Sequence, residues 1–88
     1  MFEVQEVQAF TDTITTLKKE YPRIHEAVDI AKKVLQSSAD RLPGVIGKDW
    51  RYIRTRQFPG IPSVAIIFRI DGNGLVYLLR AELCGDEE

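Results

Sequence analysis

Asp71-Gly72-Asn73-Gly74 constrains this chain most, because it sets four turn-forming residues between two runs that are otherwise almost wholly apolar. Such a cluster is a strong hairpin signal. Pro59-Gly60-Ile61-Pro62 makes a second break upstream. Together they divide the C-terminal half into three strand-like runs, about Trp50 to Phe58, Ser63 to Ile70 and Leu75 to Leu83, which predict an antiparallel meander.

The N-terminal half reads differently. Phe2 to Phe10 alternates loosely and predicts a short strand. Thr11 and Asp12 are good helix N-caps, and Ile14, Leu17 and Lys18 follow at helical spacing. Tyr21-Pro22 breaks this helix, and Pro22 suits the first turn of the next. In that second helix Ile24, Ala27, Val28, Ala31, Val34 and Leu35 form one apolar stripe. Leu42-Pro43-Gly44 ends the helical region. The expected fold is α+β, a single βααβββ domain over residues 1–88, with a helical hairpin packed on one face of a mostly antiparallel sheet.

A chain of 88 residues has a small core, and its single cysteine allows no intramolecular disulfide, so packing must supply the stability. The apolar runs fall far short of the ~20 residues a membrane span needs. Glu3, Gln5 and Glu6 interrupt any signal-like segment, so the expected address is the cytoplasm, with no membrane partner. With one Cys and one His no compact Cys/His metal site can form in one chain, and no glycine loop suited to a phosphate cofactor is present. Cys84 reads as an incidental thiol beside the acidic tail Asp86-Glu87-Glu88, and His25 as a solvated helix-surface residue.

The net charge of −1 conceals a division. From Arg41 to Arg80 seven bases face two acids, a net of +5, while the other 48 residues carry five bases and eleven acids, a net of −6. If Ile70 faces Leu75 across the hairpin, then Arg69 faces Val76, Ile67 faces Leu78, Ala65 faces Arg80 and Ser63 faces Glu82. One side of the sheet then holds Val64, Ile66, Phe68 and Ile70 with Leu75, Tyr77, Leu79, Ala81 and Leu83, and is the core. The other, open side holds Arg69, Arg80 and Glu82, with Ile67, Val76 and Leu78 as an apolar centre. Placing Ile53 inward adds Tyr52, Arg54 and Arg56 to the open side. Burying the arginines instead would cost several kcal/mol per unpaired charge. Guanidinium groups bind phosphates bidentately and tyrosine stacks on unpaired bases, so this face suits RNA. Lys48 and Arg51 extend the basic surface as further RNA contacts. A solvated sheet face, with Arg80 paired to Glu82, and a protein interface are the competing readings.

The run Arg51-Tyr52-Ile53-Arg54-Thr55-Arg56-Gln57-Phe58-Pro59-Gly60-Ile61-Pro62, then Ile67-Phe68-Arg69-Ile70-Asp71 and Leu75-Val76-Tyr77-Leu78-Leu79, resembles the RelE/ParE toxin superfamily of bacterial toxin–antitoxin systems. The resemblance covers most of the chain. It implies a toxin that is either an mRNA interferase, a ribosome-dependent endoribonuclease as in the RelE branch, or a DNA gyrase inhibitor as in the ParE branch. In the RelE-like case Arg54, Arg56, Arg69 and Arg80 would hold the scissile phosphate and stabilise its developing charge during attack by the RNA 2′-hydroxyl, a mechanism that needs no metal. The implied partners are a cognate antitoxin, mRNA on the ribosome and a second copy in a homodimer. Active members commonly carry His or Tyr in a basic C-terminal segment, whereas this sequence continues Glu82-Leu83-Cys84-Gly85-Asp86-Glu87-Glu88. Glu82 is then the nearby carboxylate, as general base or as a partner of Arg80, and a diverged, non-catalytic binding module is the alternative.

Overall fold

The computed structural model describes residues 2–45, 47 and 49–84. Strand β1 (Glu3–Glu6) is followed by helices α1 (Gln8–Glu20) and α2 (Ile24–Ser38), a short 3-10 turn (Ala39–Arg41), and strands β2 (Arg51–Arg54), β3 (Val64–Ile70) and β4 (Leu75–Leu83). The sheet order is β1-β4-β3-β2, with β1 parallel to β4 and the other pairs antiparallel. The two helices pack on one side of this mixed four-strand sheet, as an α+β domain with a βααβββ layout.

Helix α1 begins earlier than the Thr11-Asp12 pair predicts. The Val7 amide still extends the parallel ladder to the Leu78 carbonyl, while the Val7 carbonyl accepts the first helical bonds from the Phe10 and Thr11 amides. The chain therefore passes from strand to helix through one extended residue, with no side-chain cap. The Thr11 hydroxyl donates to Glu6 Oε1 at 2.7 Å instead. Glu6 also receives Lys32 Nζ, so one carboxylate on β1 ties both helices to the sheet edge. Burial raises the Glu6 pKa, but the hydrogen bonds from Lys32 and Thr11 and the Lys32 charge outweigh it, and the net shift is downward.

The core joins Phe10, Ile24, Ala27, Val28, Ala31 and Leu35 of the helices to Val64, Ile66, Phe68, Val76, Leu78 and Ala81 of the sheet. The α2 stripe is as its spacing predicts, with one exception: Val34 is 38% exposed. Strand β2 is shorter than expected because side chains take over beyond Arg54. The Thr55 hydroxyl accepts from the Val64 amide at 2.8 Å, and the Ser63 hydroxyl donates to the Thr55 carbonyl. The chain then reverses at Pro59-Gly60, closed by paired Phe58 and Ile61 backbone bonds of 2.9 Å, with Gly60 at the positive φ of 77° that the turn requires.

The β3–β4 hairpin departs from the expected register by one residue. The Asp71 amide bonds the Leu75 carbonyl, which leaves a three-residue loop, and Asp71 Oδ1 accepts from the Asn73 and Leu75 amides. Ile70 therefore faces Val76, Arg69 faces Tyr77 and Phe68 faces Leu78. This shift would turn Arg80 inward if it ran the full length of the strand. It does not, because the register shifts again between Ile67 and Phe68: Leu79 is an extra, bulged residue and Ile67 faces Arg80. Val76 and Leu78 are consequently core residues, and Tyr77 stands on the open face, the reverse of the sequence expectation. Arg80 and Glu82 stay outside and Ala81 inside, as expected.

Candidate nucleic-acid interface

The sheet side opposite the helices carries its side chains in rows set by the register. One row runs Arg54, Ala65, Glu82; the next Tyr52, Ile67, Arg80; the third Arg69, Tyr77, Gln5. Rows on one face are separated by about 7 Å along the strands, and neighbouring strands by about 4.8 Å. A phosphate set over Ile67 is therefore within side-chain reach of Arg54, Arg69 and Arg80.

Each group is held differently. The Arg69 guanidinium carbon lies 5.5 Å from the Tyr77 ring centroid, a cation–π contact that orients it over the sheet. Arg80 Nη2 donates to Glu82 Oε2 at 3.0 Å, with both side chains more than half exposed. An exposed pair of this kind contributes about 1 kcal/mol at most. Glu82 is thus the charge partner of Arg80 in the resting face, as one of the sequence readings held. Among the described residues no carboxylate pairs with Arg54, Arg56 or Arg69. These guanidiniums are open to an external anion.

Two expected site residues fall elsewhere. Arg51 lies opposite Phe68 on the core parity, half-buried, and its Nη1 donates to the Leu42 carbonyl at 2.7 Å. It braces the β2 edge and does not join the basic face. Arg56 follows the end of β2 and lines a groove against α2. Lys48 and the acidic tail lie outside the described residues. Of the proposed apolar centre only Ile67 is on the open side, accompanied by the bulged Leu79, since Val76 and Leu78 are buried. Tyr77 was missed because the face of every β4 residue before the bulge depends on loop length. The ring of a tyrosine between Val76 and Leu78 in an alternating run is the signal that could have found it. His25 is exposed on α2, its Nδ1 3.2 Å from the Pro22 carbonyl.

No family model matches the chain, and comparisons with curated proteins and with solved structures also find no match. No helix among the described residues is long and apolar enough to cross a membrane.

Proposed function

We propose that this protein is a toxin of the RelE type, an mRNA interferase acting on message in the ribosome. The observation that carries the reading is the convergence of Arg54, Arg69 and Arg80 with Tyr52 and Tyr77 on the uncovered side of a βααβββ sheet. The motif resemblance from Arg51 to Leu79 supports it.

In the reaction, the ribose 2′-oxygen attacks the adjacent phosphorus, the bond to the 5′-oxygen breaks, and a cyclic phosphate and a free 5′-hydroxyl result. The proton lost by the 2′-hydroxyl and the proton gained by the leaving oxygen balance. Negative charge accumulates on the non-bridging oxygens, where the three guanidiniums stabilise it more than they stabilise the ground state. Tyr52 and Tyr77 hold the flanking bases by stacking. Glu82 is the carboxylate within the arginine rows and receives the 2′-hydroxyl proton, with Arg80 orienting it.

Induced expression in a bacterial host, with mRNA ends mapped in the same cultures, tests this. Growth arrest with new ends inside translated codons, abolished by Arg69→Ala or Arg80→Ala, is the expected result. Arrest without cleavage favours the ParE-like reading, with gyrase as the target. A soluble, folded protein that does not arrest growth favours a binding module that has lost the chemistry.

A further inference from the structure

Three of the large exposed apolar side chains lie not on the basic face but beside it. Ile30 is 53% exposed on α2, Val34 38% and Phe58 37%, and all three line one groove between α2 and the segment that follows β2. Ala27, Ala31, Ile53 and Thr55 form its floor, and Arg54 and Arg56 stand on its sheet side. The groove holds about 300 Å3 and continues past Phe58 toward Arg23 and Ile61. It is long and shallow, a shape that takes successive side chains better than one enclosed small molecule.

Backbone polarity adds a second, independent observation. β2 is the last strand of the sheet, and the Thr55 amide bonds to the Val64 carbonyl, so the amides and carbonyls of Arg51, Ile53 and Thr55 point to β3. Those of Tyr52 and Arg54 point outward. The chain covers part of this edge itself: the Tyr52 amide donates to the Pro43 carbonyl at 3.1 Å, and the Val45 amide to the Trp50 carbonyl at 2.9 Å. This cover stops at Tyr52. The Tyr52 carbonyl and the Arg54 amide and carbonyl are left as an open edge along the groove, beside Ile30, Val34 and Phe58.

We infer that this edge accepts an extended segment of a partner protein, paired to the backbone at Arg54, with alternate side chains apolar and acidic. The apolar set enters the groove among Ile30, Val34 and Phe58, and the carboxylates meet Arg54 and Arg56. No carboxylate lines the groove at this end, so the charge match is one-sided and excludes a basic segment. The inference rests on the edge, the groove and the charge of Arg54 and Arg56; Arg54 is shared with the RNA reading, but Ile30, Val34 and Phe58 are not.

The test titrates the full-length, isotope-labelled chain with a synthetic peptide of about six residues alternating glutamate with valine or leucine, near the usual strand length. Amide shifts confined to Ile30, Val34 and Arg54 to Phe58 are expected. Ile30→Asp, an exposed substitution that leaves the core intact, should weaken binding at least about tenfold. N-methylation of the peptide on the parity that faces Arg54 should abolish binding, and on the other parity should spare it. Equal sensitivity to both parities would assign the groove to a helix. Shifts only at Arg69 and Tyr77, full binding to Ile30→Asp, binding by the lysine analogue, or a concentration-dependent dimer that already protects the groove would each overturn the inference. RNA cleavage by Ile30→Asp should match the parent, so the two proposals fail separately.

Discussion

Arg69 and Tyr77 face each other across β3 and β4, the guanidinium carbon 5.5 Å from the ring centre, and the register that pairs them sets both on the open face. The ring fixes a flexible cation at about 0.5–1 kcal/mol for an exposed pair. A base that stacks on Tyr77 would use the ring face away from Arg69. Tyr77→Ala should weaken binding of a short single-stranded RNA by about 1–3 kcal/mol, the usual range for loss of one stacking aromatic. Tyr77→Phe should retain it. Fluorescence anisotropy at one fixed salt concentration reads both, and an equal loss in the two variants would mean that the hydroxyl, not the ring, makes the contact.

Glu82 is the partner of Arg80 and the proposed general base, and one substitution separates the two. Glu82→Gln keeps size and a hydrogen bond to Arg80 but cannot accept a proton. Cleavage in a purified translation system should fall by about 10²–10⁴ if the carboxylate is the general base. RNA affinity should hold or rise, because a negative charge beside the phosphate has gone. Full cleavage with Gln at this position would leave Glu82 as no more than a partner for Arg80.

Deletions on β4 should differ sharply in effect. Removing Leu79 erases the bulge while Phe68 still faces Leu78 and Ile67 still faces Arg80, so every other side chain keeps its face. Thermal unfolding should show a loss of about 1–2 kcal/mol, the contribution of one partly buried leucine. Removing Ala81 instead sets Glu82, or Arg80 if the bulge is absorbed, opposite Ile66 on the core face. That protein should not fold. Equal stability for the two deletions would contradict the register.

The Glu6 contacts give stability an acid limb. A carboxylate with a folded pKa below its unfolded value, about 4.3 for glutamate, stabilises the fold above the unfolded value. That contribution is lost as pH falls through the folded one. Glu6→Gln should be less stable than the parent at neutral pH by about 1 kcal/mol or less. The difference should vanish in acid below the usual carboxylate range. Urea unfolding at a series of pH values tests it, and a constant difference would show that Glu6 acts by packing alone.

The sequence made the element order legible because its punctuation is chemical: Pro22, Pro43, Pro59-Gly60 and Asp71 to Gly74 all fall at observed breaks. The core face of β3 was equally plain, since Val64, Ile66 and Phe68 alternate with Ala65, Ile67 and Arg69. What sequence could not supply was phase. Asp71 closes a three-residue loop with its side chain, not a four-residue one, and nothing in Tyr77-Leu78-Leu79-Arg80 announces an extra residue. Two one-residue shifts in the same direction return Arg80 to its expected face but set it opposite Ile67, not Ala65, and they move Tyr77 to the other face. The apolar stripe of α2 likewise could not show that Val34 overhangs the edge of β2, which is set by where that strand ends.

The pairing of β1 with β4 alone has a consequence for biogenesis. The first strand finds its neighbour only in the last one, so during synthesis the apolar faces of α1 and α2 wait, uncovered, for the sheet that will receive them. Closure of the domain belongs to the period after β4 has left the ribosome, and until then the nascent chain is a client for whatever shields apolar surface in the cell.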